Sequence, residues 1–258
     1  MSARWTALLL LTGCLSEVLE APYVLSTGLG EARSVCPSTR LTMLVASSTG
    51  LWEVDGEGAM AQVLAGDCSA VSMSPRDAYA LCDGQLTWGA LPAPGALAQG
   101  WSRKAAPGVR DVQVWCDGTV MLGDPASVTS WDPATGETSL WAEGLPGLRA
   151  LALGGGEGCD WLTVVAGDRV LAVTPTGQSA LAEGLVAPRA AAVDRQGRLW
   201  VVAGEPAVLS QVTGGKAQEF ARYLGDPRDL QFGLGGLLPP SNGYLADGQG
   251  TLDYVYAP

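Results

Sequence analysis

The chain has 258 residues, of which 47 % are hydrophobic and 16 % charged, with a formal net charge of −11. Such a composition excludes a disordered polypeptide, and its acidity argues against a nucleic-acid partner, which needs clustered Lys and Arg to neutralise phosphates. Histidine is absent, which removes the commonest general base and the commonest metal ligand.

The chain opens MSARWTALLLLTGCLSE, where one Arg precedes an apolar run from Trp5 to Leu11 and then small residues. This is the pattern of a secretory signal; the run is too short for a membrane span, which needs roughly 20 apolar residues. The tetrapeptide LTGC, Leu11 to Cys14, resembles the lipobox of bacterial lipoproteins. The resemblance implies cleavage before Cys14 and a lipid on Cys14. With Leu15 next, and not Asp, it also implies sorting to the outer membrane, on its periplasmic side or at the cell surface. The expected organisation is a signal peptide at 1–13, a short tether at 14–20 and one domain at 21–258. Export places the remaining cysteines in an oxidising compartment, where disulfides persist.

A cadence follows and returns along the chain: YVLSTGLGEARSVC, WSRKAAPGVRDVQV, LWAEGLPGLRALAL, ALAEGLVAPRAAAV and EFARYLGDPRDLQF. Aligned on Arg33, Ala70, Arg110, Arg149, Arg189 and Arg228, it recurs at spacings of 37, 40, 39, 40 and 39 residues. A period near 40 with four short strands per period is the signature of a β-propeller blade. The unit from Arg189 illustrates it: RAAAV, the turn DRQG, RLWVVA, the turn GEPA, VLSQV, the turn TGGK and AQEFAR. Apolar runs separated by Gly- and Asp-containing turns about every ten residues indicate an all-β fold. The spacing therefore predicts a six-bladed propeller with four-stranded blades. The last unit, from Arg228, has only three strands, while the residues before Arg33 carry one to spare. Residues 21–26 should supply the missing outer strand and close the ring, leaving no unpaired edge at the joint.

The stretch APRAAAVDRQGRLWVVAG resembles the NHL-repeat and SMP-30-like six-bladed propellers, with Ala190 where those families usually carry Gly. The resemblance implies a fold far more than a chemistry. Propellers of this kind include calcium-dependent lactonases whose metal is held on the axis by Glu, Asp and Asn. This chain has a single asparagine, Asn242, so that ligand set is not carried over, and no metal or cofactor is expected. A carboxylate pair could do acid–base work, but no spacing singles one out. With no histidine and no base for a serine nucleophile, no catalytic residue is assigned. The expectation is a lipid-anchored, non-catalytic binding or scaffolding module; the alternative is a lactonase-like hydrolase on the same fold.

Three features remain as candidates. The five recurrent arginines, Arg33, Arg110, Arg149, Arg189 and Arg228, each begin an innermost strand and should gather at one mouth of the channel. They either bridge to neighbours such as Glu143, Glu183, Asp111 or Asp229, or form a ring that recognises an acidic ligand or protein partner. The tryptophans fall mostly within strands and read as packing between blades, with Trp115, beside a turn, the best candidate for exposure. Cys68 and Cys82 flank one hairpin, and Cys116 and Cys159 lie in equivalent turns of neighbouring blades, so each pair is a predicted disulfide with Cys36 left over. The glycine-rich ALGGGEG at 152–158 lacks the Lys and the helix of a phosphate loop and reads as an enlarged turn.

Overall fold

The structure, a computed structural model, describes residues 23–154, 160–222, 225–232 and 242–256. Its strands form six antiparallel four-stranded sheets and, among the described residues, no helix. Blade one is β2 to β5 (Ala32–Pro37, Met43–Ser47, Gly50–Val54, Met60–Ala65), and blade two is β6 to β9 (Cys68–Met73, Asp77–Cys82, Gln85–Ala90, Ser102–Ala105). Blade three is β10 to β13 (Asp111–Val114, Val120–Gly123, Ser127–Trp131, Thr138–Glu143), and blade four is β14 to β17 (Leu148–Gly154, Trp161–Ala166, Arg169–Thr174, Gly177–Ala182). Blade five is β18 to β21 (Ala190–Val193, Leu199–Ala203, Val208–Thr213, Lys216–Arg222). Blade six joins β22 to β24 (Pro227–Phe232, Asn242–Asp247, Thr251–Tyr256) to β1 (Tyr23–Thr27), in the order β1-β24-β23-β22. This is the predicted six-bladed propeller.

Each sheet is covered on both faces by its neighbours. Its second and third strands are therefore apolar almost throughout, as in WLTVVA and RVLAVT of blade four, and alternation returns only weakly. Outer strands such as KAQEFAR face water and carry the polar residues. The core is divided into six apolar wedges, one between each pair of blades. Large aromatics fill these wedges. Trp200, 1 % exposed, packs between blades five and six, edge-on to Phe220, and donates its Nε1–H to Asp194 Oδ2 at 2.9 Å. Trp131 stands edge-on to Trp88 with ring centres 4.8 Å apart. Trp115 is half-buried and lies against Trp141 at 5.7 Å, so it too is packing material.

The ring closes as the strand count requires. Strand β1 runs antiparallel to β24, with Tyr23 opposite Tyr254 and Thr27 opposite Thr251. The joint is reinforced where Leu29 N–H donates to Gly250 O at 3.2 Å. Gly250 has φ +91°, and a Cβ there would collide with the Gly30 carbonyl, so only glycine allows the two chain ends to meet this closely.

Cys68 and Cys82 are directly opposite in β6 and β7 and are joined in a disulfide. Cys116 is also disulfide-bonded; its predicted partner Cys159 lies outside the described residues, as do Cys14 and residues 155–158 of the glycine-rich stretch at 152–158. Cys36 is a free thiol. The alignment of blade two needs a shift of one residue. Cys68 pairs with Cys82 and Ala70 with Leu81, which leaves Ser69, and not Ala70, at the bulged position that Arg33 occupies between Ala32 and Ser34.

Candidate active site in the axial channel

The first strand of each blade, β2, β6, β10, β14, β18 and β22, contacts its counterparts in the adjacent blades, so these six strands form the wall of the axis. Each begins at the recurrent position. In blades one, four and six that residue, Arg33, Arg149 or Arg228, is the extra residue of a β-bulge. Arg110 and Arg189 share the arrangement, their N–H groups donating to Gly123 O and Val202 O, carbonyls of the residues opposite Asp111 and Ala190. A bulge re-aims the chain and its side chains. The residue after it turns toward the next blade; around the ring these are Ser34, Ala70, Asp111, Ala150, Ala190 and Asp229.

Two of those six are carboxylates, and they belong to blades three and six, on opposite sides of the axis. Asp229 Oδ2 accepts from Val35 N–H at 2.9 Å and Ser34 Oγ–H at 3.0 Å, both in the next blade, while Oδ1 accepts from Leu230 N–H at 2.8 Å. Asp111 Oδ2 accepts from Leu151 N–H of the next blade at 2.6 Å, and its Oδ1 from Val112 N–H at 2.8 Å. Hydroxyls make lighter versions of the same clip. Ser34 Oγ accepts from Val71 N–H at 3.3 Å, and Ser72 Oγ from Val114 N–H at 2.9 Å and Gln113 Nε2–H at 3.2 Å. In blades four and five the position is Ala150 and Ala190, both buried.

Burial sets the charge state of this wall. Asp229 is 9 % exposed, and loss of solvent pushes its carboxyl up to about 6, with the three N–H and O–H donors pulling the other way. Asp111 is raised well above the usual carboxylate range, first by loss of solvent and then by the negative charge of Asp229. Cys36 is pushed up to about 12 by burial and again by Asp229; it remains a protonated thiol at neutral pH and is no nucleophile. Asp229 accepts from the N–H of Val35, the residue before Cys36, so the two lie along the same stretch of wall between blades six and one. Both carboxyls hold their protons more tightly than an ordinary carboxylate, as acid–base groups tuned by burial do. Asp111 is half-buried and Asp229 buried.

The calcium site of the lactonase propellers does not fit these residues. Among the described residues no group of three or more His, Cys, Asp or Glu is placed to hold a metal, and both axial carboxylates spend oxygens on backbone N–H groups.

The five arginines do stand at the starts of the first strands, but their partners are not the predicted ones. Arg33 pairs with Asp67 at 2.6 Å and Glu31 at 2.9 Å; Arg228 pairs with Asp226 at 2.5 Å and Glu31 at 3.6 Å. Arg189 pairs with Asp226 at 2.5 Å and Glu205 at 3.9 Å. Arg149 donates to the Pro188 carbonyl at 3.2 Å. Glu143 and Glu183 take no part in these pairs. Asp111 and Asp229 bond to the first strand of the next blade and not to the arginines, because the bulge separates the two side chains.

The sequence offers Asp111 and Asp229 as partners for the arginines, yet it also carries a signal that sets them apart. Only two of the six first strands read Arg-Asp-apolar-Gln-apolar, RDVQV at 110–114 and RDLQF at 228–232. In a six-fold ring those two units stand opposite each other.

No protein-family model and no curated protein matches the sequence. Solved structures match over nearly the whole chain. A gluconolactonase from Xanthomonas campestris is 14 % identical, covers 90 % of this chain and 88 % of its own, and has a TM-score of 0.69. The luciferin-regenerating enzyme is 11 % identical, with 92 % and 95 % covered and a TM-score of 0.69. A streptogramin B lyase is 13 % identical, with 92 % and 97 % covered and a TM-score of 0.65. At these identities the likeness shows a shared propeller fold. It nonetheless overturns the expectation of a non-catalytic module, since these similar structures belong to named enzymes. The physical premise of that expectation fails as well. It rested on the lack of histidine, and the first strands supply two buried carboxyls of raised pKa in its place.

Proposed function

We propose that this protein is a lactonase-like hydrolase, opening cyclic esters in the axial channel. The observation that carries the reading is the Asp111–Asp229 pair. Asp229, with three of roughly four acceptor sites occupied, keeps one for water. It takes a proton as the water oxygen attacks the acyl carbon. The ring C–O bond then breaks, and Asp111 gives its proton to the departing alkoxide, leaving a hydroxy acid. Exchange with solvent returns both carboxyls to their starting states. Cys36 and Ser72 line the same wall without entering the proton path. The test is hydrolysis of simple lactones across pH. Asp229→Asn and Asp111→Asn should each lower kcat/KM by about 100-fold or more, and the wild-type rate should climb through a limb near 6. An Asp229→Asn variant as active as wild type would remove the base and with it the reading.

We also propose export through the N-terminal signal with a lipid on Cys14. The Cys68–Cys82 disulfide supports an oxidising destination. Cys14→Ser should release the protein from membranes into the soluble fraction; wild-type protein that is already soluble and free of acyl mass would refute the anchor.

A further inference from the structure

The rim of the channel is electrically uneven. On one arc, charges alternate in an unbroken chain of Glu205, Arg189, Asp226, Arg228, Glu31, Arg33 and Asp67, which runs from blade five through blades six and one to the edge of blade two. Every arginine on that arc has a carboxylate. On the other arc, at blades three and four, neither arginine has one among the described residues. Arg110 is exposed and its side chain has no partner there; Arg149 is exposed and gives one N–H to a carbonyl. A guanidinium presents five donors in a fixed fork, so most of this donor capacity is unspent.

Their position relates them to the candidate active site. Arg110 immediately precedes Asp111. Arg149 lies two residues before Leu151, whose N–H holds Asp111 Oδ2 at 2.6 Å. Both begin first strands of adjacent blades, at the same end of the channel and on the same side of the axis. Two uncompensated cations on a protein with a net charge of −11 form a local positive focus against a negative field, which steers and orients anions. A planar guanidinium recognises a carboxylate through paired N–H···O bonds. We infer that the substrate carries a carboxylate, which Arg110 and Arg149 hold at the rim while its ester reaches down to Asp111 and Asp229. This rests on the hydrolase reading and adds the substrate class to it: an anionic lactone in preference to a neutral one.

A matched pair of substrates separates the two ideas: γ-butyrolactone, and the same ring bearing a carboxylate on the carbon next to the ring oxygen. The wild type should favour the carboxylated ring by about tenfold or more in kcat/KM, a preference that shrinks with added salt. Arg110→Gln with Arg149→Gln should abolish the preference and leave the neutral ring's kcat/KM within about twofold. Arg110→Gln alone, at an exposed side chain, should halve the effect in free energy without affecting folding, and Arg33→Gln on the ion-paired arc should leave the preference intact. Hydrolysis of both rings with no preference, or with one the double variant does not alter, overturns the inference while the hydrolase reading stands. Hydrolysis of neither ring removes the hydrolase reading, and calorimetry with 2-hydroxyglutarate then decides the anion site. Binding that the double variant weakens by about tenfold or more keeps the site; no binding, or binding the variant leaves alone, overturns it.

Discussion

The two arcs of the rim use the same residue for different ends. In blades five, six and one the recurrent arginine is bound to acidic neighbours on both sides; in blades three and four it is left to solvent. The difference follows the covalent structure. Blade six is assembled from both ends of the described chain, so nothing but non-covalent pairing closes the ring there. Extra ties gather at that joint: the β1–β24 ladder, the Leu29–Gly250 hydrogen bond, the double grip of Asp229 on Ser34 and Val35, and the Arg228–Glu31 pair. Blades three and four are joined by continuous chain and need none of this. Their arginines are the ones free to meet a ligand.

The sharpest way to break the comparison is to remove the joint. Deleting residues 23–27 strips β24 of its partner and exposes a row of backbone donors and acceptors at the edge of blade six. It also takes Leu25 from the wedge between blades six and one. The melting temperature should drop by about 10 °C or more, with aggregation, since several kcal/mol at about 2–4 °C per kcal/mol are at stake in a domain of this size. A deletion variant that melts like the wild type would mean the closure contributes nothing.

The axial clips give the next effect, and it has a sign. Asp229 holds its proton more tightly in the folded protein, near 6, than in the unfolded chain, near 3.8. Below 3.8 the group is neutral in both states and costs nothing. As pH rises from 3.8 to about 6 the unfolded chain loses its proton first, so stability falls by about 3 kcal/mol across that window and is level above it. Asp229→Asn should flatten the slope between pH 4 and 7 seen in urea unfolding. Glu31 works in the opposite sense. Arg33 holds its carboxyl below the usual range, so its small contribution is present at neutral pH and lost as pH falls. A stability curve that rises steadily from pH 4 to 7 in the wild type would show that the buried aspartate does not govern it.

Much of this was legible in the chain. The 40-residue cadence fixed the blade count, and the missing strand of the last unit located the closure, because a repeat must be complete for its apolar faces to be covered. The opposed cysteines of the first hairpin of blade two were legible for the same reason of register. The charge pattern at the rim was not. Whether Arg33 meets Glu143 or Asp67 depends on which way a bulge throws its side chain, and a bulge leaves only a one-residue irregularity in the spacing, as the slip from Ala70 to Ser69 shows. The axial acids were hidden by their neighbours. Next to Arg110 and Arg228, Asp111 and Asp229 read as ion-pair partners. Only the bulge separates them, leaving the arginine at the rim and the aspartate bonded to the next blade's backbone, where lost solvent raises its pKa.

The smallest effect is the most direct comparison of the arcs. Arg228→Ala removes ion pairs to Asp226 and Glu31 on the crowded side, whereas Arg110→Ala removes no side-chain hydrogen bond or ion pair among the described residues. Arg228 is 46 % exposed and its partners Glu31 and Asp226 are 41 % and 35 % exposed, so solvent screens most of the attraction. Each such pair is worth only about 0–1 kcal/mol, falling further with salt. Arg228→Ala should therefore lower stability by under about 1 kcal/mol at low ionic strength, and by less in high salt. Arg110→Ala should leave stability unchanged at either. A double-mutant cycle of Arg228→Ala with Glu31→Ala isolates the tie that crosses the joint. If Arg110→Ala proves as costly as Arg228→Ala, the rim is structurally uniform, and the open arc has no arginine to spare for a ligand.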